Sequence, residues 1–402
     1  MTTTQSAIIK QVNFSYDHNK LQNLLVFLLA FIVIDYVFLK DLLFQVSLKH
    51  QIMMNEEYHS KHAENFFEVM SELGDGIGIA LFLSFAACVL STESIVICCM
   101  AQGIGCAIVI LLKSIHCEPR PFFLIDNLYP RKCSLEHGDP SGHSFVSASL
   151  LLCITDRYIH QYKVQNKVRA WSIPVVLILL IGSSRIYNGY HTYNQVVSGF
   201  VWGTSTYYFL CYVIVDYLNN FSRQFRFLSN SQKFWNPLTK VFFYGYIIQT
   251  ALYFYNISYR PTPESWYEMT RKNCPTRKFN IDPKLTDFEK YSITSTVIGA
   301  IIGLQFEDTF LPTKDMLKHF EVPFKYLIPS LIVTFIGMLS SIISTLVVSH
   351  NDPFILVLWG KSFMPCFTAG FYQTGLSRYV LYKFNLINTT IVVEDAQIKK
   401  VK

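Results

Sequence analysis

Long apolar runs separated by short polar segments make up most of the chain between residues 22 and 380. A helix that crosses a bilayer needs about 20 mostly apolar residues, because each residue adds about 1.5 Å along the axis. The runs that approach this length are 22–40, 76–92, 93–114, 143–159, 171–187, 195–217, 238–257, 292–308, 325–348 and 354–380. The pattern predicts an all-α, polytopic membrane helical bundle of about nine transmembrane helices, with the first run as a possible extra N-terminal span.

The first run could also be a cleaved signal sequence. No small-residue cleavage site follows it, which favours an uncleaved span or anchor. Residues 56–75 are polar with apolar positions at roughly helical spacing, which favours an interfacial helix, although a plain loop also fits. We divide the chain into an N-terminal extension (1–50), a core (51–220), additional spans with a lumenal segment at 258–291 (221–385), and a cytosolic tail (386–402).

The composition agrees with a protein embedded in a lipid bilayer. Charged residues make up 15% of the 402 residues, against about 25% in soluble domains, and apolar residues reach 51%. These values exclude a disordered chain and a soluble enzyme. The net charge of +6 is spread over loops without a basic tract, so nucleic acid is not an expected partner. The ten cysteines show no CxxC or Cys/His zinc spacing, so no metal site is predicted.

The orientation in the membrane is equivocal from Lys and Arg counts alone, because segment 258–291 is as basic as the loops on the other face. The C-terminal residues 399–402 read Lys-Lys-Val-Lys and fit the dilysine signal that returns membrane proteins to the endoplasmic reticulum and is read in the cytosol. A solvated tail is the alternative reading. Counting spans back from a cytosolic tail places residues 115–142, 188–194 and 258–291 in the lumen.

Three separated polar stretches share one chemical character: 113–121 (KSIHCEPRP), 140–143 (PSGH) and 184–191 (SRIYNGYH). Each lies at the end of a predicted span. The first two belong to one loop, and two spans separate the second from the third, so the chain returns to the same membrane face. The three stretches are therefore expected to converge.

A convergence of these stretches would bind an anion. Lys113, Arg120 and Arg185 would bring three cations together, which is unfavourable unless an anion lies among them, and arginine matches phosphate oxygens with two hydrogen bonds. The free N–H groups of Ser141 and Gly142, where the next span begins, add a positive helix end. The alternative for each cation alone is a side chain that reaches the headgroups.

Two histidines complete a set for phosphoryl transfer. His143 and His191 would provide one nucleophile that accepts the phosphoryl group and one acid that protonates the leaving alcohol. No metal is needed, because the cations would neutralise the phosphate oxygens. A single interfacial histidine is more often structural, and only the combination favours catalysis.

The spacings K-x6-RP, PSGH and SR-x5-H, in that order, resemble the type-2 phosphatidic acid phosphatase superfamily, which includes the vanadium haloperoxidases. That superfamily usually has Asp four residues after the last histidine, where this chain has Gln195. With Gln at this position, the third motif resembles that of the glucose-6-phosphatase family rather than that of the lipid phosphatases. The resemblance runs from the segment near residue 60 to the tail and includes Cys133 and the dilysine end; the first 50 or so residues have no counterpart.

Four residues along a helix place Gln195 on the same face as His191. The amide oxygen of Gln195 could accept a hydrogen bond from His191 and so orient the ring. An amide lacks the negative charge of Asp, so Gln195 is expected to stabilise a cationic imidazole less than Asp would.

The resemblance implies that His191 attacks phosphorus and becomes phosphohistidine, while His143 protonates the departing sugar oxygen and then activates water. It implies hydrolysis of glucose 6-phosphate to glucose and phosphate in the lumen of the endoplasmic reticulum, in gluconeogenesis and glycogen breakdown. A separate sugar-phosphate transporter in the same membrane would deliver the substrate, and no cofactor is implied. The implied phosphate-binding residues are Lys113, Arg120, Ser141, Gly142 and Arg185.

Two other functions remain open at this point. A lipid phosphate phosphatase of the same superfamily would use the same residues, although lipid members usually stop at about six spans. A sugar-phosphate transporter or binding protein would not need both histidines, and the chain shows no internal repeat of the kind common in transporters.

Several residues near the motifs are expected to have structural roles. His116 and His137 fall on no motif position and are expected to be loop residues. Asp139 is expected to cap the helix that Pro140 begins. Cys133 and Cys274 would both be lumenal and could form a disulfide, but Cys117 makes the lumenal count odd and leaves the pairing open.

Overall fold

A computed structural model of the chain describes residues 14–57, 60–128, 130, 132–274, 282–311, 318–341, 343–348 and 353–391. The predicted dilysine signal at 399–402 lies outside these residues. The described chain is almost entirely helical, as predicted. Its one sheet pairs two short antiparallel strands, β1 (Lys318–Glu321) and β2 (Asn388–Ile391).

The N-terminal extension forms one long rod. Helix α1 (His18–Ile34) continues through a π-helical turn (Asp35–Leu39) into α2 (Lys40–Glu57), and the Asp17 side chain caps its start by accepting from the N–H of Lys20 at 3.1 Å. Only 6% of its most apolar stretch is buried against the rest of the protein. The rod therefore presents an apolar surface outward, as a lipid-facing helix does.

A bend between α3 (Lys61–Leu73) and α4 (Gly76–Val89) follows the rod. The two helices meet at 52°, and Asp75 caps α4 by accepting from the N–H of Gly76 at 2.8 Å. The polar segment predicted as an interfacial helix or loop therefore contains a helix, α3. This helix packs against α7.

Four helices build the framework of the site: α5 (Thr92–His116), α6 (Gly142–Tyr162), α7 (Lys167–Tyr187) and α8 (Tyr193–Tyr208). Helix α5 runs through the centre and is buried along most of its length. Helices α6 and α8 approach closely at Gly203, where a Cβ atom would lie 2.4 Å from the carbonyl oxygen of Phe145. Small residues at such crossings let backbones pack directly, which fixes the two helices that begin beside the site.

The rest of the chain adds shorter helices around α5. They are α9 (Val215–Gln224), α10 (Asn230–Phe234), α11 (Pro237–Tyr259), α12 (Glu264–Asn273), α13 (Pro283–Lys290), α14 (Ser295–Phe310), α15 (Leu327–Ser340), α16 (Ile343–Val347), α17 (Phe354–Val357), α18 (Met364–Phe371) and α19 (Ser377–Lys383). Helix α14 packs on α5 and α18, and α11 packs on α5. The main apolar core lies where α5, α14 and the turn after α8 meet.

Three helical segments among the described residues are long and apolar enough to cross a bilayer: His18–Met54, Thr92–Phe123 and Lys167–Tyr187. A fourth is added if the bent pair α3 and α4 counts as one span. Helices cover the other predicted runs too, but several are short, and the run 354–380 is divided by two π-helical turns. A membrane protein built of helices is therefore confirmed, whereas the count of about nine spans is not.

A disulfide joins Cys133 to Cys274, whose Cα atoms lie 6.2 Å apart. Beside it, the Asn273 amide donates to the carbonyl of Phe122 at 2.9 Å, so the two segments are also linked by buried polar contacts. The pairing that the sequence left open is thus present, and Cys117 is a free, partly exposed thiol. The bond ties the loop between α5 and α6 to the segment after α11.

Candidate active site

The three polar stretches come together at one end of α5, α6, α7 and α8. Helix α5 ends at His116 because Cys117 adopts a left-handed conformation (φ 49°), and the chain then turns back toward the helix ends. Five of the side chains that the sequence singled out lie at or beside these ends: Lys113 in the last turn of α5, Arg120 in the segment after it, His143 in the first turn of α6, Arg185 in the last turn of α7, and His191 just before α8.

Arg120 is the centre of the cluster and is 1% exposed. Its Nε donates to the carbonyl of Glu136 at 2.8 Å, and one terminal nitrogen donates to Oε1 of the same residue at 2.8 Å. The other terminal nitrogen lies 3.1 Å from Nε2 of His191 and donates to the carbonyl of Tyr190 at 3.3 Å. The guanidinium is therefore fixed in direct contact with the predicted nucleophile.

Lys113 is also 1% exposed and donates to the carbonyl of His137. Its Nζ lies 3.9 Å from the Glu136 carboxylate, which also pairs with Lys290. Burial opposes ionisation of Glu136, but Lys290, Lys113 and Arg120 together hold its pKa well below the usual range. Sequence reasoning missed Glu136, which provides a negative charge among the cations and lies on no motif position.

Arg185 completes the set of cations and is 4% exposed. It donates to the hydroxyl of Ser71 in α3 and lies 4.1 Å above the ring of Tyr190. Within the described part of the chain its buried Nε has no acceptor. A buried donor without a partner is costly, and an anion in the cluster would satisfy it.

His191 has a partner on each ring nitrogen. Nδ1 lies 2.9 Å from Oε1 of Gln195, and Nε2 faces Arg120. Since an amide oxygen only accepts and a guanidinium only donates, these partners assign the proton to Nδ1 and the lone pair to Nε2. Burial, followed by Arg120, Lys113 and Arg185, keeps the pKa of His191 well below its usual range, so the ring is neutral.

Gln195 is held by hydrogen bonds on both ends of its amide. The oxygen also accepts from the N–H of Thr192 at 3.3 Å, while Nε2 donates to Oε1 of Glu118 and to the carbonyl of Pro119, each at 2.8 Å. Because both partners of Nε2 are acceptors, the amide cannot flip without losing them. The predicted approach of Gln195 to His191 is present; its role in catalysis stays a prediction.

His143 lies in a different environment, at the start of α6. The structure gives its ring no hydrogen-bond partner among the described residues, and Gly74 of the α3–α4 bend lies against it. The N–H of Ser141 is already occupied, because it donates to the carbonyl of Gln195 at 2.8 Å. The binding of phosphate by the Ser141 N–H stays a prediction and would require this hydrogen bond to break, while Gly142 at the start of the helix has its N–H free of any described acceptor.

Two neighbouring residues, Asp139 and His116 in the last turn of α5, differ from expectation, whereas His137 is a loop residue as expected. Asp139 does not cap α6; its carboxylate pairs with Nδ1 of His116 at 2.5 Å and Nζ of Lys40 at 3.3 Å. His137 pairs with Asp287 at 2.5 Å, and both are fully buried. Both histidines are paired with carboxylates, and the partners Lys40 and Asp287 are too distant in sequence for spacing to reveal them.

Comparisons with known proteins give one family match and one similar structure. No curated protein matches the sequence. A solved structure, the first transmembrane PAP2 type phosphatidylglycerolphosphate phosphatase from Bacillus subtilis, is similar with 17% identity and a TM-score of 0.40, covering 48% of this chain and 94% of that one. Residues 94–219 match the sequence model of the PAP2 superfamily, and this range contains every residue of the three motifs. Over residues 94–219 the chain is thus similar to the PAP2 superfamily.

Proposed function

We propose that this protein is a membrane phosphatase that hydrolyses glucose 6-phosphate to glucose and phosphate through a phosphohistidine on His191. The observation that carries the proposal is the position of His191, whose Nε2 lies 3.1 Å from the buried guanidinium of Arg120 while Nδ1 lies 2.9 Å from Oε1 of Gln195. Buried cations favour a phosphate group, and the adjacent lone pair is the nucleophile that phosphoryl transfer requires.

Substrate binding would satisfy groups that are unpaired or weakly paired. The phosphate dianion would accept from Lys113, Arg120 and the free Nε of Arg185, and from the N–H of Gly142 at the start of α6. Arg120 would exchange its contact with the lone pair of His191 for a phosphate oxygen. The lone pair of Nε2 would then be free and would lie next to the phosphorus atom that it attacks.

In the first chemical step, Nε2 of His191 forms a bond to phosphorus while the bond from phosphorus to the sugar oxygen breaks. His143 donates a proton to the departing oxygen, so glucose leaves as a neutral alcohol. The ring of His191 carries Nδ1–H throughout and becomes cationic on phosphorylation. Gln195 accepts the Nδ1–H bond at 2.9 Å and would keep the ring in place.

In the second step, His143 accepts a proton from a water molecule that attacks phosphorus. The bond between Nε2 and phosphorus breaks, the lone pair returns to Nε2, and inorganic phosphate leaves. The two histidines thus end in the states in which they began. Vanadate is expected to inhibit, because its trigonal-bipyramidal form resembles the transferring phosphoryl group.

A polar surface beside Arg185 supports a sugar phosphate as the substrate. Oε2 of Glu68 in α3 accepts from Asn188 and from the Tyr190 hydroxyl, each at 3.3 Å. Both distances are long, so these groups would gain by bonding to sugar hydroxyls. Gln195 in place of Asp adds the resemblance to the glucose-6-phosphatase family.

A lipid phosphate is the alternative substrate, and one observation favours it. Helix α7, which carries Arg185, exposes Val175, Val176 and Leu179 on its outer side. A phospholipid in the surrounding bilayer would reach the cations from that side with its acyl chains still in lipid.

We also propose that the site faces the lumen of the endoplasmic reticulum and serves glucose release in gluconeogenesis and glycogen breakdown, with a sugar-phosphate transporter supplying substrate. The disulfide between Cys133 and Cys274 supports this, since such bonds persist in oxidising compartments. Glucose 6-phosphate hydrolysis should then be latent in sealed microsomes and appear after permeabilisation.

The decisive experiment offers glucose 6-phosphate and phosphatidate in parallel to permeabilised membranes that contain the protein. Membranes with the His191→Ala variant at equal abundance provide the background. Hydrolysis of glucose 6-phosphate above that background would support the proposal. Hydrolysis of phosphatidate alone would assign the protein to lipid phosphates, and hydrolysis of neither would favour a transporter or binding protein.

A further inference from the structure

Glu118 is a buried carboxylate that the mechanism above leaves without a role. It lies between Lys113 and Arg120 in the first motif, at a position that the spacing K-x6-RP does not specify. We infer that Glu118 is a positioning residue for His191: through Gln195 it supplies the negative charge that Asp would otherwise provide, and Lys40 of the N-terminal extension holds it there. The inference rests on the proposed phosphohistidine at His191.

A continuous series of hydrogen bonds connects the carboxylate to the nucleophile. Oε1 of Glu118 accepts from Nε2 of Gln195 at 2.8 Å, and Oε1 of Gln195 lies 2.9 Å from Nδ1 of His191. Asn194 donates to the same carboxylate oxygen at 2.7 Å and fixes its direction. All the partners are buried.

The charge of Glu118 acts on His191 by polarising the amide between them. When Glu118 accepts a hydrogen bond from Nε2 of Gln195, it polarises the amide and shifts electron density toward the amide oxygen. Hydrogen bonds in series strengthen one another in this way in a buried site. The Gln195 oxygen then stabilises the cationic ring that forms when Nε2 is phosphorylated. Glu118, the next residue after Gln195 in this series of hydrogen bonds, thereby supplies the charge that is missing at position 195.

Lys40 holds the carboxylate in this position. Its Nζ lies 3.1 Å from Oε2 of Glu118 and 3.3 Å from Oδ2 of Asp139. Without this cation the two carboxylates would repel each other, and Glu118 would be pushed away from Gln195 or neutralised by a proton.

The same helix contacts the segment that bears the nucleophile. The Gln51 amide donates to the carbonyl of His191 at 2.7 Å, and the hydroxyl of Ser47 accepts from the N–H of Tyr193 at 3.2 Å. Both α2 side chains are buried in a rod that is otherwise largely exposed. Helix α2 thus contacts the site at Glu118 and along the backbone from His191 to Tyr193.

The test compares Glu118→Gln, Gln195→Asp and the double variant by single-turnover formation of phosphoenzyme. Rates are normalised to the amount of protein that can be phosphorylated, so that loss of folded protein does not count. Glu118→Gln keeps an acceptor for Gln195 but removes the charge. It should slow phosphorylation about ten- to hundredfold, as when outer partners of functional histidines are removed, with KM changed by less than about threefold.

The double variant separates an electrostatic role from a structural one. A carboxylate placed at position 195 supplies the charge directly, so Gln195→Asp should restore most of the rate in the Glu118→Gln background. In the wild-type background the same change would set two carboxylates side by side and lower the rate. Equal rates for Glu118→Gln and wild type, or a double variant no faster than Glu118→Gln, would overturn the inference.

Lys40→Met tests the contribution of the N-terminal extension, with Lys49→Met on the exposed side of the same helix as its control. We expect Lys40→Met to slow phosphorylation at least about fivefold and Lys49→Met to leave the rate unchanged. Equal rates for the two would overturn the role of Lys40. A failure of the proposed function is distinguishable, because wild-type protein would then form no phosphoenzyme from glucose 6-phosphate, or label would persist on His191→Ala protein.

Discussion

The two proposed catalytic histidines differ in how their rings are held. His191 has a partner on each ring nitrogen, and its neighbour Gln195 is itself bonded at both ends. The ring of His143 has no partner among the described residues and lies at a helix start that no side chain caps. The nucleophile is therefore fixed before substrate arrives, whereas the acid is left free to meet it.

This difference follows from what each group has to do. A nucleophile must present one lone pair along one line, so a fixed ring reduces the entropy lost on the way to the transition state. An acid that serves first the leaving oxygen and then a water molecule must contact two different partners in turn. Prior hydrogen bonds to the protein would compete with both of them.

The largest effect is expected from removing the fixed histidine. His191→Ala should lower kcat by at least about 10⁴-fold, because it removes the nitrogen proposed to accept the phosphoryl group. Rapid quench with phosphate-labelled substrate should trap label on wild-type protein and none on the variant. Label that persists on the variant would reassign the nucleophile.

His143→Ala should have an effect that depends on the leaving group. For glucose 6-phosphate we expect a loss of about 10²- to 10⁴-fold in kcat, because an alkoxide is a poor leaving group without a proton. Phosphoenzyme should still form quickly from p-nitrophenyl phosphate, whose leaving group needs no acid. Equal losses in phosphoenzyme formation with both substrates would show that His143 acts in some other way.

Displacing the support of His191 should have a smaller effect. A Cβ atom at Gly138 would lie 2.4 to 2.6 Å from the amide atoms of Gln195, so Gly138→Ala must push that amide away from the ring. We expect kcat to fall about tenfold while the amount of folded protein stays unchanged. Gly76→Ala is the matched control, since a Cβ atom there has no neighbour within 4 Å among the described residues. Wild-type kcat in Gly138→Ala would mean that the orientation of Gln195 is unimportant.

The smallest effect is a displaced pH profile. Burial and the cations Arg120, Lys113 and Arg185 lower the pKa of His191, so the ring stays neutral as pH falls through the usual histidine value of about 6.5. The acidic limb of kcat/KM, corrected for protonation of the substrate, should therefore lie below about 6.5. A limb at or above that value would indicate that the surroundings of His191 do not lower its pKa.

The sequence predicted the convergence of the motifs because alternation of spans across a membrane is simple to count. It predicted that Gln195 would meet His191 because four residues make about one helical turn. It could not reveal Glu118 or Lys40, since their contacts depend on how the N-terminal rod lies against the loop. Nor could it show that the N–H of Ser141 is occupied, because the acceptor, the carbonyl of Gln195, is a backbone atom on another helix.

The disulfide between Cys133 and Cys274 spans 141 residues, so it encloses α6, α7, α8, α9, α10, α11 and α12 in one covalent loop. A protease that cuts the chain once inside that loop, for example near residues 163–166 between α6 and α7, leaves the two fragments attached. Such a nicked protein would migrate as a single band on a denaturing gel without reductant and as two bands with it. Both histidines could thus remain in one molecule after the chain between them has been cut.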